Sequence, residues 1–570
     1  MNRRKFVTLG ATTLSALPVL GFTSFEHFPE RISNKPAWLK KLIQLNDAEL
    51  KQLATTKITD ASNPYFGGYK NWADMATPHS NCAFINVACC AIACPESVYY
   101  RSANLLTDIT QALYCLLKLQ HTDGTIDLLD TNFHSPPDTA FMVKRLTPGY
   151  KLLKKTNMPG ANKTLVAFQT FLQRAGESLI TGGIHTPNHR WVVCAALVRL
   201  NELWPDALYT KRANQWLSEH IDIDPDGQYT EKSTYGYSAV IDRVLITVSK
   251  GLKKPGILDA VRKNLLMMRY YIHPNGEVVT EASNRQDKGQ VGTMENYYYA
   301  CRYLALSDNN GEFASMCRLI ESTSFNKLVE FLNYFLEDPS LWKELPVTKI
   351  LPDNYVKAFP YSGLVRIRRG QWDATILSNN ASWLTFHKGD AVLQGMRIAA
   401  SFFGKGQFQS ENIRQVGETW VLTKKLEGVY YQPFPEDKIP PDGDLSKSPK
   451  SNRPKSNIQY LETTVTISES ADGINVDIEM TGTDRVPVSM ELIFREGGSF
   501  TGVEKHPSNT GAFLFKAQKG SYTLGNNTIH FNTGKLEHKG IQLRGALPAM
   551  NAPTVYLTGF TPFKHRVQFS

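Results

Sequence analysis

The sequence is poor in several features that would assign a function at once. The spacing of its eight cysteines matches no zinc module, and all precede residue 318, most within apolar helical runs such as Phe84 to Ala93. Metal-finger folds are therefore excluded, and unpaired core thiols are expected. Lys/Arg-rich runs of the nucleic-acid type are absent, although the formal charge is +10 and the pI near 9.0. Scattered cations of that kind suit an anionic partner, and aromatics at 11%, rich in Tyr, suit stacking on sugar rings. The partner expected is an anionic polysaccharide or oligosaccharide, not nucleic acid. Charged residues make up only 20% of the chain and hydrophobic ones 42%, which excludes a disordered protein.

No carboxylate pair is marked out for glycoside hydrolysis. Asp123, Asp226, Glu231 and Asp287 each sit in a turn or beside a basic residue. The histidines, among them His79, His134, His185 and His189, show no recognised metal spacing. No cofactor is required by any motif, and an accessory metal ion stays open.

At 570 residues the chain is too long for one core. Its start, Asn2-Arg3-Arg4-Lys5, precedes an uncharged, weakly apolar stretch from Val7 to Phe25 interrupted by Pro18. That pattern reads as an export signal of twin-arginine type over residues 1–30, ahead of a membrane anchor. A periplasmic, secreted or cell-surface protein is expected, with no membrane span in the mature chain.

From about residue 31 to 350 the apolar period is helical, as in Ala103–Leu119, Lys163–Ile180, Arg190–Trp204, Tyr237–Leu252 and Ile257–Tyr271. Asp123-Gly124, Gly182-Gly183, Asp226-Gly227 and Asn275-Gly276 recur between these segments, their second glycines 59, 44 and 49 residues apart. A spacing close to one helical hairpin plus loop is the mark of a repeated unit, which can curl into a solenoid or close into a toroid. From 351 to 570 the period changes to two. Ser362–Arg368, Ala374–Ser378, Ser382–His387, Thr463–Ile467, Ile474–Met480 and Gln542-Leu-Arg are read as strands of an antiparallel sandwich, with an exposed loop over 433–455. The fold class expected is α+β multidomain: an incomplete (α/α) toroid followed by an antiparallel β-sandwich.

Three loop segments carry candidate chemistry. In Thr186-Pro-Asn-His-Arg-Trp191, Thr186 is a natural N-cap and Pro187 a first helical residue, so Asn188 and His189 enter the first helical turn. A helix terminus keeps an imidazole neutral, and an Asn amide donates to a carboxylate; simple capping is the plainer alternative. In Asp226-Gly-Gln-Tyr-Thr-Glu-Lys-Ser-Thr-Tyr-Gly-Tyr237, three tyrosines gather in a polar loop, and Glu231 is expected to brace it. In Ser283-Asn-Arg-Gln-Asp287, Arg285 offers a planar fork for a carboxylate, unless Asp287 or Glu281 claims it. Asn132 and His134, just past the first Asp-Gly turn, are expected on the same rim, with Trp191, Tyr237 and, from the sheet domain, Tyr430 and Tyr431.

These segments resemble polysaccharide lyases built from an incomplete (α/α) toroid and an antiparallel sheet domain, the heparinase II/III-like, alginate and chondroitin lyase group. Asn188-His189 resembles that group's Asn-His pair. Asp-Gly-x-Tyr-x-Glu…Tyr, ending at Tyr235, resembles its tyrosine loop. Phe386-His387-Lys388-Gly389 resembles the strand that gives a second histidine to the cleft. The resemblance implies β-elimination at O4 of a uronic acid, leaving a 4,5-unsaturated uronate. Asn188 with Arg285 or His387 would hold the carboxylate, His189 or Tyr235 would take the C5 proton, and Tyr235 would protonate the leaving oxygen. Tyr237 is the alternative to Tyr235. The substrate expectation is a glucuronate-containing plant glycan, such as a rhamnosyl-glucuronate linkage. A glycoside hydrolase on a related toroid and a non-catalytic glycan-binding protein are the rivals.

Overall fold

The computed structural model describes residues 34–570; the expected export signal lies outside the described residues. Twelve α-helices lead into the sheet region: α1 (Ala37–Ala54), α2 (Pro78–Ala93), α3 (Ala103–Leu119), α4 (Pro136–Lys155), α5 (Asn162–Thr181), α6 (Pro187–Leu203), α7 (Ala207–Leu217), α8 (Tyr237–Leu252), α9 (Leu258–Met268), α10 (Tyr298–Ser307), α11 (Gly311–Ser324) and α12 (Leu332–Glu337). Even-numbered helices α2, α4, α6 and α8 pack side by side as an inner wall, and α3, α5 and α7 pack outside them. Burial follows that arrangement. Outer α3 buries one stripe (Leu105, Leu106, Ile109, Leu113, Leu116), whereas inner α6 is buried almost all round from Asn188 to Leu200, as an inner layer requires. The turn Phe325–Phe331 and α12 pack against α1, α2 and α4.

The glycine turns join outer to inner helices, and three of the four share one hydrogen-bond pattern. Gly124, Gly227 and Gly276 donate to the carbonyls of His121, Asp224 and His273, and His121, Asp224 and His273 donate to those of Thr125, Gln228 and Glu277. Each of these glycines has φ between 83° and 104°. A side chain at Gly124 would strike the Arg174 carbonyl of α5 at 2.0 Å, and one at Gly227 the Lys263 carbonyl of α9 at 2.6 Å. Glycine is thus required where the turn docks on the neighbouring outer helix. Gly182-Gly183 adopts a different turn.

The last helical turn, Pro339–Trp342, is followed by the first strand of the sandwich at Asn354. Two short strands, β1 (Ile126–Leu128) and β2 (Asn132–Ser135), form a hairpin ahead of α4; β3 (Asn354–Phe359), β4 (Leu364–Arg369), β5 (Trp372–Leu377), β6 (Leu384–Lys388) and β7 (Ala391–Ala400) begin the sandwich. They belong to a 10-stranded sheet that faces an 8-stranded one. Among the described residues the pairings between strands are antiparallel apart from Ala512–Leu514 with Thr554–Phe560, and an isolated bridge, Leu536 to Thr558, is also parallel. In the strand Lys455–Ser470 the alternate residues Leu461, Thr463, Val465 and Ile467 point into the shared core, the period-two pattern of a half-buried strand. Gln542-Leu-Arg is a correction: the segment is a loop, tied to the sheet through buried Ile541. The 433–455 region is the expected exposed loop, with three short helical turns. All eight cysteines are buried free thiols. No helix among the described residues is long and apolar enough to cross a membrane.

The sandwich docks on the toroid's turn side. Tyr355 donates to the Tyr270 carbonyl at 3.0 Å, the Ser362 amide to Asp226 at 2.8 Å, and Arg495 grips Glu277 through two bonds of 2.9 and 2.7 Å. The elements that carry the candidate residues therefore meet at one face.

Candidate active site

Asn188 stands in the first turn of α6 and is fully buried. Thr186 is the N-cap, yet its hydroxyl makes no capping bond and accepts instead from the Asn188 amide at 3.2 Å. The same amide nitrogen donates to both oxygens of Glu231, at 2.9 and 2.8 Å, so Glu231 braces the asparagine. Burial raises the Glu231 carboxyl, against the Asn188 bonds and Arg285, which lower it. Asn188 Oδ1 and His189 Nδ1 have no partner among the described residues. Such open valences in a buried site are costly unless a ligand fills them. His189 is drawn down to about 4 by burial first and then by His185 and Arg285; its ring meets His185 at 4.8 Å and Phe141 at 6.4 Å, both edge-on. Burial and neighbouring charge keep it neutral.

Arg285 acts on both His189 and Glu231 and lies 5.2 Å over the ring of Tyr237. Its guanidinium has no ion pair among the described residues, and Nε is buried without a partner. Asp287 is occupied by the Tyr235 amide (2.9 Å) and Ser283, and Glu281 by Thr375 and Thr385 (2.8 Å each). Neither claims the arginine. The Tyr235 hydroxyl donates to Glu295 at 2.9 Å, where Lys327 also binds at 2.7 Å. Burial, then Glu295, pushes the phenol well above its usual range. Tyr229 is buried and bonded to Asp242 at 2.8 Å, a packing role.

A second polar cluster, absent from the sequence reading, joins the two domains. His273 donates to Asp373 of β5 at 2.9 Å, and Asp373 accepts from Arg366 of β4 at 2.7 Å, with all three side chains at most 1% exposed. His387 of β6 stacks on His273 at 3.6 Å with rings 4° from parallel. Burial disfavours charge on His273, but Asp373 and Glu281 outweigh it and lift the group to about 9. Burial and the adjacent His273 hold His387 at about 3. One imidazolium and one neutral imidazole share the stack because two charges there would repel. Ligand atoms of His273, Glu281 and His387 lie within 4.8 Å of one another, a donor set of the kind zinc takes once the parallel rings turn apart to reach one ion, with Asp373 on the far nitrogen of His273 as outer support.

The remaining candidates divide. Asn132 donates to Asp138 at 2.9 Å, and Asp138 is one of the charges acting on His189, so it borders the cluster. His134 is exposed, stacked on His121 at 3.7 Å and bonded to Asp123 at 2.7 Å. Trp191 is a correction: its ring is 0% exposed and its Nε1 donates to Asp222 at 3.0 Å, so it is core and cannot touch a glycan. His387, 4% exposed, sits in the interdomain stack, and its Nδ1 has no partner among the described residues. Tyr431 ends a strand of the 8-stranded sheet, 43% exposed, with no described contact to the Asn188 cluster. Between the domains a groove of about 390 Å³ is lined by Lys232, Asn284, Tyr361, Asn380 and Trp420. Lys232 and Asn284 directly adjoin Glu231 and Arg285 in the chain.

No family model matches the chain, and no curated protein matches it in sequence. Solved structures do match. Heparinase III superposes with a TM-score of 0.53 at 11% identity, over 96% of this chain and 87% of that one. A Paenibacillus xanthan lyase gives 0.54 at 9% identity, over 87% of this chain and 51% of that one. The Streptomyces coelicolor A3 chondroitin AC lyase, solved with chondroitin sulphate, gives 0.51 at 12% identity, over 96% and 80%. What the chain shares with these polysaccharide lyases is the toroid-plus-sheet fold.

Proposed function

We propose that the protein is a polysaccharide lyase that cleaves a bond to O4 of a uronic acid by β-elimination. The observation that carries the reading is Arg285, a cation with no anionic partner among the described residues, beside Asn188 and His189 on a fold shared with polysaccharide lyases. A uronate carboxylate would pair with the Arg285 fork. Asn188 joins it when Glu231 takes a proton: the neutral carboxyl then donates to Oδ1, and the amide turns its nitrogen to the substrate. Burial already moves Glu231 in that direction. Together these donors offset the charge that builds on the carboxylate as C5 loses its proton. His189, neutral above about pH 4, is the base. Tyr235, held protonated, is the donor to the departing O4. Tyr237 is a second candidate for that role, because its ring carries Arg285.

The substrate class is a uronic-acid glycan, with rhamnosyl-glucuronate linkages among those to test, handled outside the cytoplasm. The accessory metal, if one is used, falls to His273, Glu281 and His387. The test is near-ultraviolet absorbance during incubation with a panel of uronate glycans. A conjugated-alkene signal on one glycan, lost in Tyr235→Phe or Tyr237→Phe, supports the reading and chooses the tyrosine. New reducing ends without absorbance would move the hydrolase to first place.

A further inference from the structure

About 10 Å below the rim, measured along the inner helices, the toroid carries a second group of cations that the proposed reaction does not use. Lys144 and Arg145 lie six to seven residues below Asp138 on α4, and Arg243 six residues below Tyr237 on α8, depths set by the ~1.5 Å rise per residue. Lys144 is 3% exposed and has no hydrogen bond or ion pair among the described residues; its ammonium lies 5.0 Å from the ring centre of Phe141, the residue that meets His189 edge-on. Arg243 is 7% exposed, lies 4.8 Å over Phe331, and leaves Nε and Nη1 without partners among the described residues. The carboxylate present is Glu330, at 3.3 Å from Arg145. Glu49, also close, is raised by burial and by Glu330. Arg145 and Glu330 keep 38% and 50% of their side-chain surface accessible, so that edge of the group is open to solvent. Three basic side chains thus meet two carboxyl groups, of which burial makes Glu49 the harder to charge. Burial and the two arginines hold the Lys144 ammonium well below the usual lysine range, a strain that an anion would relieve.

We propose that Lys144 and Arg243, flanked by the Arg145–Glu330 pair, form an oxyanion subsite for a carboxylate or sulfate on a sugar next to the one being cleaved. The assignment to a glycan rests on the lyase reading of the cleft above. It narrows the substrate to polyanionic uronans with closely spaced charges and sets it apart from a glycan bearing one isolated glucuronate cap. A buried polar group kept without a partner costs stability, so its retention calls for a ligand.

The test separates this subsite from the lyase reading, because it uses no turnover. Crystals of the whole chain are soaked in selenate, and calorimetry follows selenate and trigalacturonate binding in Tyr235→Phe protein. One saturable selenate site is expected, with an anomalous peak between Lys144 and Arg243. Lys144→Met and Arg243→Met should each weaken it at least tenfold, while Arg285→Met leaves it in place. Trigalacturonate binding should weaken in the same two variants. Lys144→Met should melt no lower than its parent, since it removes a buried unpaired charge. A selenate peak only at Arg285, or none, overturns the subsite, as does a large drop in melting temperature for Lys144→Met. Selenate binding with trigalacturonate affinity equal in all variants overturns the glycan assignment.

Discussion

The molecule holds two buried polar clusters, and they are finished in opposite ways. Around His273 most polar groups are answered, with Asp373 taking both His273 and Arg366 and Glu281 accepting from two threonines, and His387 Nδ1 is the valence left open. Around Asn188 valences stay open: Asn188 Oδ1, His189 Nδ1 and Arg285 Nε lack partners. A closed network stabilises a particular docking of two domains. An open one is costly alone and gains its partners from a ligand. The difference locates stability at the domain junction and chemistry at the rim of the toroid.

Substitutions should separate the two clusters. The largest effect expected is on turnover: Asn188→Ala should lower it by ~10²–10³, the range for loss of a charge-stabilising donor, with little change in melting temperature. Glu231→Gln, which still presents a donor to Asn188, should keep most activity that Glu231→Ala loses; equal loss in both would remove the protonated-Glu231 step. At the other cluster, Asp373→Ala strips Arg366 and His273 of their counter-charge. A cost of about 3–5 kcal/mol is expected from breaking a buried pair, read by denaturant unfolding.

A smaller effect concerns pH. His273 is raised in the folded protein to about 9, above its ordinary 6.5. Its contribution to stability is therefore complete below about pH 6.5 and is lost as pH rises through about 9. Melting temperature should decline over that window in the wild type and stay flatter in His273→Gln. His189, lowered to about 4, predicts no acid limb in kcat/KM near 6.5; a limb there would assign the base elsewhere. The smallest effect is that of added zinc, expected to raise the melting temperature by a few degrees and to lose that action in His387→Ala.

Much of the scaffold was legible because its signals are local. Ala103–Leu119 and Tyr237–Leu252 have one apolar stripe each, and their observed bounds match the reading. The repeated Asp-Gly and Asn-Gly turns announced the hairpins because only glycine fits where the turn meets an outer helix. Other features were hidden. Trp191 sits one turn from Asn188 in sequence, yet α6 is buried on all sides, so neighbours along the chain do not share a cleft. Gln542-Leu-Arg alternates like a strand but finds no edge to pair with. The His273–Asp373 pair spans 100 residues, and no local pattern carries such a contact. Lys144 and Arg243 carry no signal in the sequence, and it is the inner wall of helices that buries them.

The central claim is tested most directly by running the reaction in ¹⁸O-labelled water and weighing the products. Elimination adds no water, so the account predicts fragments whose masses sum to that of the substrate, none carrying ¹⁸O beyond exchange at the reducing end. Fragments heavier by one labelled water per cleavage would contradict it.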